Sequence, residues 1–155
     1  MEKGFTLIEL LLVLALMIVA GVVVFMNLGS RRIDVDLVAT TQQIGTLLRQ
    51  AQSDAMAQES DVAWGVHFSN ATSVPFYALF KTSYSTTTVA GGPYRLPPTV
   101  AYATSTLAPG ATLDVIFSSI SGTASVSTTV GLYMPKENTA FSSTISIASS
   151  GSVSF

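Results

Sequence analysis

From Leu10 to Met26 the chain runs for seventeen residues without a polar side chain, and a count begun at Phe5 gives twenty-two with only Thr6 and Glu9 interrupting. A helix of that length reaches about 33 Å, against a hydrocarbon core of about 30 Å, so the pattern predicts a transmembrane helix over residues 5–28. Polar residues then return at helical spacing. Ile33, Leu37, Ile44, Leu47, Leu48, Ala51 and Ala55 recur at intervals of three, four and seven, while Asp34, Asp36, Gln42, Gln43, Arg49, Gln50, Gln52 and Asp54 fill much of the rest. This predicts an amphipathic helix with one buried stripe over 31–58, inside a second segment spanning 29–61. Asn27-Leu28-Gly29-Ser30 is a weak point for a helix between the two.

From Val62 onward the period changes to two. Val62, Trp64, Val66 and Phe68 fall on one face of a predicted strand, with His67 on the other. Further predicted strands are 76–81, 99–103, 113–117, 124–132, 144–148 and 151–155. They are separated by the turn signals Ser69-Asn70, Gly91-Gly92-Pro93, Pro97-Pro98, Pro109-Gly110 and Ser121-Gly122. The polar, glycine-containing stretch from Ser83 to Gly92 predicts a mobile loop. Residues 62–155 therefore read as a β-rich globular head.

The chain has 155 residues, enough for one ordinary domain. Charged residues are only 10% of it, against about 25% in an average globular protein. From 62 to 155 only Lys81, Arg95, Asp114, Lys136 and Glu137 are charged, and Ser and Thr supply 32 of the 96 positions from Ser60 to Phe155, so hydroxyls do the solvating. The absence of cysteine excludes disulfides, thiolate metal sites and thiol nucleophiles. A single histidine, His67, leaves no His pair for a metal, and no Gly-x-Ser-x-Gly elbow accompanies the serines. Asp54, Glu59 and Asp61 cluster at the helix-to-strand junction without the regular spacing of a calcium loop. Asn70-Ala71-Thr72 matches a glycosylation sequon. No enzyme, metal or cofactor is expected.

The apolar segment admits three readings. A secretory signal peptide requires a basic n-region, a shorter apolar core and a small-x-small exit, whereas this chain begins Met1-Glu2-Lys3-Gly4 and leaves through Val24-Phe25-Met26. A plain membrane anchor fits the length but gives Glu9 no role, and an acidic group inside a bilayer costs on the order of 3 kcal/mol. The third reading joins Gly4, Phe5 and Glu9. Gly4-Phe5-Thr6-Leu7-Ile8-Glu9, followed at once by the apolar run, resembles the processing site of type IV prepilins and type II secretion pseudopilins.

That resemblance implies a leader at residues 1–4, removed by prepilin peptidase between Gly4 and Phe5, and N-methylation of Phe5. It also makes Glu9 an assembly carboxylate that neutralises the N-terminal amine of a neighbouring subunit. Such a charge sets register, since a misplaced subunit leaves both charges unpaired in a low dielectric. More widely, Gln-Ala-Gln-Ser-Asp-Ala-Met-Ala-Gln at 50–58, the Val-x-Trp-Gly-Val-x-Phe strand, Ile-Phe-Ser-Ser at 116–119 and the terminal Ile-Ser-Ile-x-x-x-Gly-x-Val are similar to the GspH/FimT family of minor pseudopilins and minor pilins.

The resemblance implies an α+β, pilin-like fold. Its long N-terminal helix has a transmembrane first half and an amphipathic second half packed on the β-rich head. It further implies a single-pass bacterial inner-membrane protein with its head outside the cytoplasm, assembled into a pilus or pseudopilus. The expected function is that of a structural subunit in protein secretion or pilus assembly, partnered by other pilin or pseudopilin subunits. The alternative is a DNA-uptake minor pilin. Family members of that kind carry arginine after the final glycine, where this chain has Gly151-Ser152-Val153-Ser154. Beyond Ile33 only Arg49, Lys81, Arg95 and Lys136 are basic, too dispersed to neutralise several phosphates.

Overall fold

The computed structural model describes residues 6–135 and 142–155, those at 23–34 by backbone alone. One α-helix, α1, spans Leu7–Met56. A 3-10 turn at Glu59–Asp61 follows, then eight strands: β1 Trp64–Ser69, β2 Phe76–Lys81, β3 Val89–Arg95, β4 Ala101–Tyr102, β5 Thr112–Phe117, β6 Thr128–Tyr133, β7 Ser142–Ile147 and β8 Val153–Ser154. The chain divides into two compact units, Met1–Val35 and Asp36–Phe155.

In the first unit, Thr6 starts the helix. Its carbonyl accepts from the amides of Glu9 (3.1 Å) and Leu10 (3.2 Å), and its hydroxyl reaches the Glu9 amide at 3.4 Å. Thr6-Leu7-Ile8-Glu9 thus has the residue pattern of a capping box, and Glu9 lies in the first turn, where the helix dipole favours negative charge.

The predicted membrane span needs correction. Among the described residues no helix is long and apolar enough to cross a membrane. Among the apolar residues with described side chains, 7–22, the acidic Glu9 interrupts the run. The expected pilin-like fold with a transmembrane first half is therefore not what is found, and the expected single-pass inner-membrane placement falls with it.

In the second unit the helical stripe becomes the core. Leu37, Ile44, Leu47, Leu48, Ala51 and Ala55 are all buried. Thr40 and Thr41 join them because each hydroxyl bonds back to a carbonyl four residues earlier, at 2.7 and 2.8 Å, leaving only a methyl to pack. No glycine ends the helix. Gln58, Ser60 and Asp61 instead take left-handed backbone at φ 54°, 62° and 55°, a conformation costly for side-chain-bearing residues.

The strands form two antiparallel four-stranded sheets, A in the order β3-β2-β1-β5 and B in the order β4-β6-β7-β8. Trp64, Val66 and Phe68 stand opposite Lys81, Leu79 and Tyr77 of β2 and opposite Phe117, Val115 and Leu113 of β5, which builds one apolar face on sheet A. Sheet B joins this core through Tyr102, whose ring meets Phe68 edge-on and whose hydroxyl donates to the Phe76 carbonyl at 3.1 Å. The helix is tied on by Gln52 Nε2 donating to the Gly122 carbonyl (3.1 Å), by the Ile120 amide donating to the Ala55 carbonyl (3.2 Å), and by Phe155, whose ring lies against Gly45 and under the Arg49 guanidinium at 4.8 Å.

Several predicted boundaries move. Gly91-Gly92-Pro93, expected as a turn, lies inside β3, an edge strand where proline's missing donor costs no ladder bond and a register shift against β2 absorbs the glycines. The expected mobile loop from Ser83 is a hydroxyl-knit turn. The Ser85 amide donates to Thr88 Oγ1 (2.9 Å), and that hydroxyl donates to the Ser83 carbonyl (2.6 Å). The strands predicted at 99–103 and 151–155 shrink to two residues each, and the one at 124–132 begins only at Thr128.

Candidate functional site

Gly4 and Phe5, the predicted cleavage and methylation residues, lie outside the described residues. Glu9 is described, and it is exposed. Around it every large apolar side chain from Leu7 to Val22 is exposed as well, from 47% at Val13 to 79% at Leu7. A helix apolar on all sides has no solvent face and needs covering over its whole circumference. Burying such a side chain yields about 1.5–3 kcal/mol relative to leaving it in water. The capping position gives Glu9 a local role too. A carboxylate at the third helical position offsets the exposed amides of the first turn whether or not a partner amine is present.

Three other features of the head carry polar chemistry. The first is His67. It is buried, and its Nδ1 pairs with Asp114 Oδ1, the residue directly across from it on β5. Since a carboxylate can only accept, the imidazole nitrogen donates. Tyr84 from the Ser83–Thr88 turn stacks on the imidazole with ring centroids 3.5 Å apart and planes 2° from parallel, and Phe76 lies tilted at 5.8 Å. His67 thus fastens the turn to the second face of sheet A, which is why every residue of β1 is buried. No signal near His67 in sequence announces Asp114 or Tyr84; only strand register brings them together.

The second is the junction cluster. Asp54 and Glu59 line a cleft of about 650 Å³ with Trp64 and Lys81, while Asp61 is exposed. Burial and then the Glu59 charge push the Asp54 carboxyl up, against a Gln50 hydrogen bond and the Lys81 charge that pull it down. Among the described residues no group of three or more metal-binding side chains is close enough to hold an ion. The third is the sequon. Asn70 Nδ2, the atom that glycosylation would use, donates to the Leu107 carbonyl at 2.8 Å.

Basic groups remain scattered. Arg49 lies over Phe155 and Lys81 over Trp64, and Lys136 falls outside the described residues. Comparison with family models, with curated proteins and with solved structures finds no match.

Proposed function

We propose that this chain is a structural assembly subunit, not an enzyme, of a type II secretion pseudopilus or a type IV pilus, acting in protein secretion or pilus assembly. The observation that carries this reading is the helix from Leu7 to Val22. Its apolar side chains are exposed all round, with one acid in its first turn and the Gly4-Phe5-Thr6-Leu7-Ile8-Glu9 hexapeptide at its start. Packing among like helices of neighbouring subunits covers such a surface completely. Cleavage after Gly4 would free the Phe5 amine, and methylation would keep it cationic. Glu9, one turn along, would then pair with that amine on an adjacent subunit, fixing the axial register of packing. The partners are therefore prepilin peptidase and other pilin or pseudopilin subunits. No observation favours the DNA-uptake alternative, since the tail has Ser152, not arginine, after Gly151.

Coexpression with a prepilin peptidase tests the reading. Mass spectrometry is expected to show loss of residues 1–4 and one added methyl on Phe5, and Gly4→Asp to leave the precursor intact. Maturation of Gly4→Asp at the normal rate would sink the proposal. Glu9→Leu is expected to mature normally yet to enter filaments poorly, and undiminished incorporation would overturn the pairing role.

A further inference from the structure

Ile120 stands at the tip of the turn that follows β5, 71% exposed and in left-handed backbone at φ 71°, a conformation that a β-branched side chain resists. The Ser121 amide donates to the Ser119 carbonyl at 2.8 Å, so Ile120 is the middle of a three-residue turn of the rare, strained hand. The end of α1 holds it there. The Ile120 amide donates to the Ala55 carbonyl and Gln52 Nε2 donates to the Gly122 carbonyl. Met56 covers Gly122, where an added methyl would come within 2.7 Å of its Cγ and 2.9 Å of its Sδ. A strained turn clamped from one side is an element that a small change at the clamp can release. Of the five methionines, the unit Asp36–Phe155 holds Met56 and Met134. Met134 is 1% exposed and Met56 is 48% exposed, so Met56 is packed on Gly122 and still open to solvent.

We propose that Met56 is an oxidation-sensitive clasp, whose conversion to the sulfoxide by hydrogen peroxide releases the turn at 118–122 from the end of α1. In that step the Met56 sulfur attacks one peroxide oxygen and the O–O bond breaks. The oxygen kept by sulfur passes its proton to the departing hydroxide, which leaves as water, so sulfur loses the two electrons that the peroxide gains. A polar, hydrated group then stands where an apolar one covered Gly122. With that cover given up to water, the strain at Ile120 favours opening of the turn and loss of its bond to the Ala55 carbonyl. Met134 is shielded from the oxidant by its burial. The device lies within the head and does not rest on the filament reading.

The test treats the full chain with hydrogen peroxide and follows it by peptide mass mapping and amide hydrogen exchange. Met56 is expected to gain one oxygen about tenfold faster than Met134, or more. Exchange in the oxidised chain is expected to quicken about fivefold or more at the Ile120 and Gly122 amides and to stay unchanged at Val66 in β1. Treatment with methionine sulfoxide reductases is expected to restore the original rates. Met56→Leu keeps an apolar cover without the sulfur, so its exchange should match that of the untreated parent and should not respond to peroxide. Equal oxidation of Met56 and Met134, unchanged exchange at Ile120 and Gly122 once Met56 is oxidised, or the same quickening in Met56→Leu overturns the proposal.

Discussion

One helix carries two opposite surfaces. From Leu7 to Val22 it is apolar on every side and its large side chains are exposed, whereas from Asp36 to Met56 the stripe of Leu37, Ile44, Leu47, Leu48, Ala51 and Ala55 is buried and only Val38 and Met56 among the large apolar side chains stay exposed. Leu14 is 53% exposed and Leu48 is fully buried, yet both are leucines in the same element. The difference lies in their neighbours. Around Leu48, glutamines, threonines and Arg49 give the helix a wet side, so a single sheet can satisfy it. Around Leu14 no polar side exists, so the stretch has no face suited to water. The pattern of a helix thus specifies how many partners it needs as well as whether it needs one.

The contrast breaks most sharply by truncating each leucine in turn. Leu48→Ala is expected to cost the head about 2–5 kcal/mol in denaturant unfolding, whereas Leu14→Ala should leave that transition within about 0.5 kcal/mol. A comparable loss from both would show that the exposed stretch is part of the same cooperative core.

Alkaline titration sharpens the description of the head. Burial, with a smaller contribution from Tyr94, pushes the Tyr77 phenol up to about 12, and burial likewise raises Tyr102. An acid whose folded value is raised gives up its proton more readily when unfolded. Stability is therefore full below the ordinary phenol value of about 10 and is lost as pH rises from there toward 12. Denaturation midpoints should fall over that window, less steeply in Tyr77→Phe, and a flat profile would contradict the burial of both rings.

The smallest effect belongs to the helix start. Thr6→Ala removes the capping hydroxyl, worth about 0.5–1 kcal/mol, and should quicken hydrogen exchange at the Glu9 and Leu10 amides without altering unfolding of the head. Faster exchange in the strands as well would tie the two regions together.

How far these features can be read from sequence depends on the range of the forces behind them. The stripe from Leu37 to Ala55 is legible because its period is local. The strands centred on Val66, Leu79 and Val115 are legible for the same reason. Strand β3 is not, because Gly91-Gly92-Pro93 reads as a turn until β2 lies alongside it to absorb a register shift. His67 is placed correctly on the face opposite Trp64, but its burial depends on Asp114, forty-seven residues away, and on Tyr84 folding back over it. The cleft acids are visible as a cluster at the junction, while the cleft itself appears only when Trp64 and Lys81 are brought opposite each other by strand pairing. The membrane span expected over 5–28 has no counterpart among the described residues, where no helix is long and apolar enough to cross a bilayer.

The attachments between helix and head have a mechanical consequence. Gln52 to Gly122, Ala55 to Ile120, and Gly45 with Arg49 to Phe155 are spread over three turns of α1 and reach two segments of the head, the turn at 120–122 and the residue Phe155. A pull along the helix axis therefore loads these lateral ties together, in shear, before tension reaches the strained residues Gln58, Ser60 and Asp61. Within the unit Asp36–Phe155, the helix would therefore resist sliding along the head better than being peeled from it.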